Sequence, residues 1–396
     1  MVSIKDYFKD ALMVTSAPGR VDFLNTHQDY KHLPVVPLAI NLRTYAIAVE
    51  EVSDKFIVES INLKEEGEPF RDEFSLNFPK PKLGKWFGNY LRGVVYAFNE
   101  LKGVSFEKGL KVVISSEVPI GSGLASSAAL EVSFAKLVSE YFGIRLSVED
   151  LAEIAFYAEN VFSRIPCGRL DQYSSAYGGA IVIYFRPTLH VEKLPVEDIP
   201  LVIADSGVRH SVADIHPKRQ LEINNGLKQL LQLNLPSKLR EKIKGDFRET
   251  LWEEINLNEL KPFLEQIDRT SAKRILFTLL MNESTYQALG ILRRRKLSKE
   301  ALKQLGEIVN YQHELLRDLY EVSIPRIEKI RQAMLDAGAY GVKISGAGMG
   351  GSLLAIAENP EDIKKAALRA GASKAYVLKL DEGARVEVSS KSYSKI

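Results

Sequence analysis

The stretch VPIGSGLASSAALEVSFAKL, Val118 to Leu137, sets two glycines and three serines directly ahead of an amphipathic helix. GLKVVISSEVPI, just before the glycines, reads as a strand, and Leu130, Phe134, Leu137 and Tyr141 share one face of the helix. A helix start carries unpaired N–H groups and the positive end of the dipole. Glycines that let a ligand reach this backbone make Gly121 to Ser127 a phosphate cradle. Ser126 and Ser127 add hydroxyls for phosphate oxygen or a metal ion. A capped helix after a flexible turn has the same composition. The absence of G-x-x-x-x-G-K-[ST] excludes the ordinary nucleotide P-loop.

Two further clusters stand out. SGAGMGGS, Ser345 to Ser352, formally matches G-x-G-x-x-G through Gly346, Gly348 and Gly351. The strand-like SLLAIA follows it where the dinucleotide fingerprint needs a helix, so that fold is rejected. What remains is a tight turn between strands, structural or approached by a ligand. APGRVDFLNTHQDYKHLPVVPLAI, residues 17–40, gathers Arg20, Asp22, His27, Asp29 and Tyr30 between apolar stretches. That set suits a hydroxyl-rich ligand, and equally a solvated loop.

The rest of the chain frames these clusters. LRTYAIAVEEV and DKFIVESINL alternate as strands do, whereas GKWFGNYLRGVVYAFNEL and VEDLAEIAFYAENVFS are helical. Trp86, Tyr90, Val94 and Phe98 form one helical stripe, and Trp86 and Tyr90 read as core or as walls of a ligand pocket. VEKLPVEDIP, 191–200, marks a boundary, giving domains 1–195 and 196–396. Residues 219–338 are mostly helical, then AYGVKIS, GSLLAIA and KAYVLKL are strands. The expected class is α+β, with a ligand between two halves.

The chain has 396 residues, 45% hydrophobic and 26% charged, with net charge +2. That balance gives no reason to expect a nucleic-acid or membrane partner. Cys167, the single cysteine, rules out an internal disulfide and suits a reducing compartment. MVSIKDYFKD places charges where a signal peptide needs its apolar core. A cytoplasmic protein is expected.

In this order the three clusters resemble the motifs of the GHMP small-molecule kinases, and in detail the galactokinase branch. PGRVDFLNTHQDY is similar to PGRVNLIGEHTDY, PIGSGLASSAALEV to P-x-G-x-G-L-S-S-S-A-S-x-E-V, and AYGVKISGAGMGGS to YGARMTGAGFGGC. AENVFSRIPCGRLDQYSSAYG, DSGVRH and LLRDLYEVSIPRIEKI also have counterparts, so the likeness spans residues 15 to 355.

The resemblance implies two α+β domains with the site in the cleft, MgATP as phosphoryl donor, and the anomeric hydroxyl of a galactose-type sugar as acceptor. Gly121, Ser122, Gly123, Leu124, Ala125, Ser126 and Ser127 would wrap the phosphates, with Gly348 nearby. Asp171 would be the general base and Arg20 its catalytic partner. Ser127 and Glu159 match the magnesium ligands. His27, Asp29 and Gly168 match sugar-binding positions. Cys167 reads as buried packing. A monomer is expected, because such chains complete their site alone.

Departures cluster at the sugar end. Thr26 stands where the family has a Glu that accepts from the C6 hydroxyl, and Asp22 where it has Asn. The family's sugar-contacting Tyr is missing near 210–219, and His216 falls near its place. His216, Lys218 and Arg219 either meet a substrate carboxylate or form a solvated basic turn. The alternative substrates are therefore arabinose, galacturonate or N-acetylgalactosamine. A sugar and ATP sensor without turnover is the reading from another class, and intact Arg20, Asp171 and Glu159 argue against it. Mevalonate or homoserine kinase is opposed by THQDY and RDLYEVSIP.

Overall fold

The computed structural model describes residues 7–84, 86–208 and 212–390. In chain order its strands are β1 (Met13–Leu24), β2 (Val36–Val52), β3 (Lys55–Ser60), β4 (Arg71–Ser75), β5 (Gly109–Ser116) and β6 (Ile181–Tyr184). They continue with β7 (His190–Lys193), β8 (Leu201–Asp205), β9 (Gly341–Ser345), β10 (Ser352–Ile356), β11 (Lys374–Leu378) and β12 (Arg385–Ser389). One sheet runs β12-β1-β2-β5-β3-β4, a second β11-β8-β10-β9, and β6 pairs with β7. All pairings are antiparallel except β3 with β5.

Helices Gly88–Lys102, Ser126–Phe142 and Val148–Phe156 cover one face of the first sheet. The apolar stripes meet there around Phe56, Val94, Phe98, Val112, Phe134 and Ile154. Each buried side chain of that size contributes about 1.5–3 kcal/mol. The second sheet packs against Arg269–Leu292 and Pro325–Asp336 through Phe277, Ile330, Ile344 and Leu353. A third apolar cluster joins the two sheets through Val21, Phe23, Leu38, Leu124, Leu289 and Leu354. β1 therefore has core on both sides and is buried along all 12 residues, polar ones included. This seam closes the bottom of the cleft. The α+β class expected from the sequence holds.

The boundary expected at 195/196 lies between β7 and β8, after the two-stranded β6–β7 sheet and before the first strand of the second sheet. The chain's last described segment departs from that division. β12 pairs antiparallel with β1, so residues 385–389 complete the first sheet rather than the second. The tie is Arg43 on β2, only 2% exposed. It donates to Ser16 Oγ (2.7 Å), Asp381 Oδ2 (2.8 Å), Glu382 O (2.9 Å) and Gly383 O (2.8 Å).

Removing that guanidinium leaves two backbone carbonyls and a carboxylate without their donor. Arg43→Met is expected to destabilise the fold by about 3 kcal/mol, read as a lower urea midpoint at unchanged slope. A loss below about 1 kcal/mol would mean that the returning strand is held by β1 alone.

Candidate active site

The helix after the phosphate loop runs Ser126–Phe142, as expected. Its N-cap is Ala125, in the left-handed region at φ 59°, and no side chain caps it. A left-handed non-glycine residue at a helix start is strained backbone of the kind found at ligand clamps. Gly121 and Gly123 also have positive φ, at 69° and 79°. The expected cradle divides into two parts. Ser122 is buried and its hydroxyl donates to Pro119 O at 2.7 Å, so its side chain turns away from the cleft. Leu124 is buried, and its carbonyl accepts from Arg20 N at 3.0 Å. Ser126 and Ser127 line the cavity.

Asp171 sits in the first turn of the helix Leu170–Tyr177, where the dipole favours a carboxylate. Arg20 reaches it from β1: Nε donates to Oδ1 at 2.8 Å, and Nη2 lies 2.7 Å from the same oxygen. Arg20 Nη1 also donates to Gly123 O. The two residues expected to do the chemistry thus meet across 151 positions of sequence, against the phosphate loop.

Glu159 lies in a π-helical turn, Tyr157–Phe162, that continues the helix Val148–Phe156. Such turns are rare and recur at functional sites. Ser127 Oγ donates to Glu159 Oε1 at 3.0 Å, and Gln172 Nε2 to Oε2 at 2.6 Å. Burial, with Asp171 nearby, raises Glu159 to about 7. Ser127 and Glu159 therefore form an oxygen pair at the cradle's edge. Glu131 lies one helical turn after Ser127 and is fully buried beside Glu159. Burial, with Glu159 alongside, pushes its carboxyl well above the usual carboxylate range. The four-residue spacing from Ser127 is the sequence signal for its place.

The sugar signature forms a tight turn. Asn25 and His27 both have positive φ, at 64° and 66°. His27 Nε2 lies 3.0 Å from Ala347 O, which requires the Nε2–H tautomer. Burial, with His216 alongside, pushes the His27 imidazole well below its usual range. The His216 ring stands 5.1 Å from His27 and 5.5 Å from Tyr30, and its Nε2 is buried without a partner. His216 thus joins His27, as its position near the missing Tyr led us to expect. Asp29 faces Gly168: a Cβ there would fall 2.1 Å from Asp29 Oδ2. Burial raises Asp29 to about 6.

Thr26 is 2% exposed and its hydroxyl is already engaged. Lys343 Nζ donates to Thr26 Oγ1 at 2.8 Å and to Asp22 O at 3.0 Å, and the Thr26 hydroxyl turns to the Asp22 carboxylate. Lys343 is fully buried, and burial lowers it to about 8. Asp22 is raised by burial against the pull of Lys343 and Arg20, and its Oδ1 has no hydrogen-bond partner. Sequence reasoning missed this triad, since a lysine in a strand reads as exposed. Arg219 pairs with Glu222 at 2.9 Å and donates to Glu321 O, and its Nε is buried without a hydrogen-bond partner. In the DSGVRH segment, Arg209 and His210 lie outside the described residues.

Trp86 and Tyr90, read as core or as pocket walls, line a cavity of about 600 Å³ that reaches Ser126 and Ser127. The helix begins only at Gly88, so Trp86 precedes it and swings to the rim. Gly348 has φ +84°, and a Cβ there would fall 2.6 Å from Val322 O. That close approach accounts for the glycine. Its loop adjoins the cradle through Ser352 Oγ, which donates to Ser122 O at 2.6 Å. Cys167 is half-buried rather than fully packed, and burial pushes its thiol up, away from nucleophilic chemistry.

Residues 89–179 match the GHMP kinases N terminal domain, 294–375 the GHMP kinases C terminal domain, and 5–49 the galactokinase galactose-binding signature. The galactokinase of Thermotoga petrophila is 32% identical over 352 residues, covering 87% of this chain and 89% of its own. That of Clostridium acetobutylicum is 28% identical, covering 86% and 84%. The fold is shared with the crystal structure of Lactococcus lactis galactokinase complexed with galactose. Its TM-score is 0.77 at 24% identity, over 96% of this chain and 97% of that one. Leishmania major mevalonate kinase in complex with R-mevalonate is more distant, at TM-score 0.63 and 18% identity. Likeness at this level along most of both chains, with the sugar signature matched as well, makes this chain a member of the galactokinase family of GHMP sugar kinases.

Proposed function

We propose that the protein transfers the γ-phosphoryl group of ATP to the anomeric hydroxyl of galactose. The observation that carries this is the Arg20–Asp171 pair held against Gly123 at an uncapped helix start. Phosphoryl transfer needs alignment, charge neutralisation and a proton acceptor. Asp171 takes the proton from the sugar hydroxyl as the oxygen–phosphorus bond forms. Arg20 orients that carboxylate and offsets charge on the attacking oxygen. His27, Asp29 and His216 hold the sugar hydroxyls. Asp29 accepts from two of them, and Gly168 leaves room for its carboxylate.

Ser127 and Glu159 suit Mg²⁺. Both offer hard oxygens, and a buried carboxylate raised to about 7 is one that a cation would stabilise. Among the described residues no group of three or more His, Cys, Asp or Glu could hold a metal ion by itself. That is in keeping with an ion bound through one carboxylate, phosphates and water. The bound ion would neutralise charge on the phosphates. One chain brings all these groups together, which supports a monomer. No helix among the described residues is long and apolar enough to cross a membrane, and we place the protein in the cytoplasm.

A sugar differing at C6 is the second reading. It is favoured by the Lys343 ammonium behind Thr26, where the family pattern has an acceptor.

ADP release measured over a sugar panel tests the assignment. Asp171→Asn is expected to lower kcat by about 10²–10⁴ with ATP affinity unchanged. Normal turnover in that variant removes Asp171 from the chemistry. Accepting from two hydroxyls at once needs the ionised Asp29 carboxylate, so its full role is present above about pH 6 and lost below. The sugar KM should rise about tenfold per pH unit in acid. A sugar KM constant down to about pH 5 contradicts that role. Thr26→Glu alone would crowd two carboxylates around one ammonium. Thr26→Glu combined with Asp22→Asn keeps a single carboxylate against Lys343. This double variant should raise galactose over arabinose in kcat/KM by about tenfold. An unchanged ranking shows that position 26 does not read C6.

A further inference from the structure

The cavity beside the phosphate loop has an unusual wall, and the inference drawn from it rests on reading it as the donor-nucleotide site. Trp86, Phe87, Tyr90, Ile114 and Leu130 supply flat and apolar surface. Among the described residues no charged side chain lines it. Its carboxamides are engaged by the fold itself. Asn62 Nδ2 donates to Ser116 O at 2.9 Å and its Oδ1 accepts from Ser116 N at 2.8 Å. Asn89 closes in the same way on Lys82, with both bonds at 2.8 Å. The Thr44 and Ser116 hydroxyls pair with each other at 2.8 Å. The nearby amides are paired too: Trp86 N with Gly84 O, Asn89 N with Trp86 O, and Tyr90 N with Phe87 O.

Trp86 Nε1 is buried without a hydrogen-bond partner and is a donor only. Ser163 is different. It lines the cavity directly after the π-helical turn, and its Oγ is buried with no hydrogen-bond partner. A hydroxyl both donates and accepts. It can accept from a 6-amino group and donate to a 6-oxo group without moving anything else.

We propose that the enzyme takes purine nucleoside triphosphates as phosphoryl donors whatever the group at C6 of the base, with Ser163 Oγ meeting the base edge. A pocket whose fixed donors and acceptors match one base rejects the other by about 10⁴–10⁵, because its polar groups are left unpaired. Shape and stacking alone discriminate by only about 10–200-fold. The transfer itself is indifferent to the base. The bond between γ-phosphorus and the β–γ bridging oxygen breaks, the bond to the anomeric oxygen forms, the proton passes to Asp171, and the nucleoside diphosphate leaves.

Initial rates with ATP, GTP and ITP at saturating galactose test this, ITP isolating the 6-oxo group from the 2-amino group. The three kcat/KM values are expected within about 100-fold of one another, with similar kcat. GTP and ITP each more than about 1,000-fold poorer than ATP would overturn the proposal and leave the kinase reading intact. No turnover with any donor and any sugar of the panel overturns both. Ser163→Ala, checked by its thermal melt, should lower kcat/KM for all three donors by a common factor. A shift of the ATP to GTP ratio by more than about tenfold would show that Ser163 selects the base, contrary to the proposal.

Discussion

Arg20 is held from three directions, and the rest of the site takes its position from that. Its backbone N–H donates to Leu124 O at 3.0 Å, its Nη1 to Gly123 O, and its Nε to Asp171 Oδ1 at 2.8 Å. One residue thereby joins β1, the glycine turn and the helix that carries Asp171. The approach is possible only because Gly19 precedes it: a Cβ at Gly19 would fall 2.7 Å from Leu124 O. Register shifts flank the residue, between Pro18 and Arg20 and between Asp22 and Leu24. Bulges of this kind re-aim side chains beside active sites. Bonds to a guanidinium and a carboxylate are about twice as strong as neutral ones, so the joint is stiff.

The parts of this arrangement that local chemistry dictates were visible in the sequence. The strand, glycine turn and amphipathic helix around Gly121 follow from periodicity and backbone freedom, and the hairpin at Gly346–Gly351 from the strands on either side. The helical stretch from 219 to 338 was equally plain. What depends on tertiary context was not. No periodicity announces that β12 returns to β1, because a short alternating strand suits either sheet. Core and pocket wall stayed open for Trp86 and Tyr90 because a helical stripe does not show where the helix begins. Lys31 and Lys343 read as surface residues by type, and their burial follows from partners hundreds of residues away. The family motifs located Arg20, Asp171 and Glu159, but not the way Thr26 and Ser122 turn inward.

The sugar end concentrates buried charge to a degree that stability alone would oppose. Asp22, Asp29, Lys31 and Lys343 lie within one small region. An isolated buried ion costs several kcal/mol, so each must be compensated. Lys343 is compensated by Thr26 and Asp22. Lys31 donates to Gln28 Oε1 at 3.1 Å and Thr278 Oγ1 at 2.9 Å, under rings of Phe277, Tyr320 and Tyr30 at 5.0–5.5 Å. Tyr30 and Tyr320 bond through their hydroxyls. Fixed dipoles stand here in place of mobile water, the arrangement that orients a polyhydroxylated ligand without reorganisation during the reaction.

The two ends of the cleft therefore work by opposite physics. The nucleotide end is flat and mostly apolar, and discriminates weakly by shape. The sugar end is polar and rigid, with unpartnered atoms on Asp22 and His216. A polar site of that kind penalises any ligand that leaves its groups unpaired, far more than an apolar wall penalises a missing methyl. Selectivity in this chain then resides with the acceptor, and Asp22, Thr26 and the missing tyrosine depart from the family pattern at that end. Arg20, Asp171, Ser127 and Glu159 lie between the two and match the pattern without exception. Phosphoryl transfer makes the same demand on them whichever sugar is bound, so substitutions at the sugar end can alter the acceptor while the chemistry stays in place.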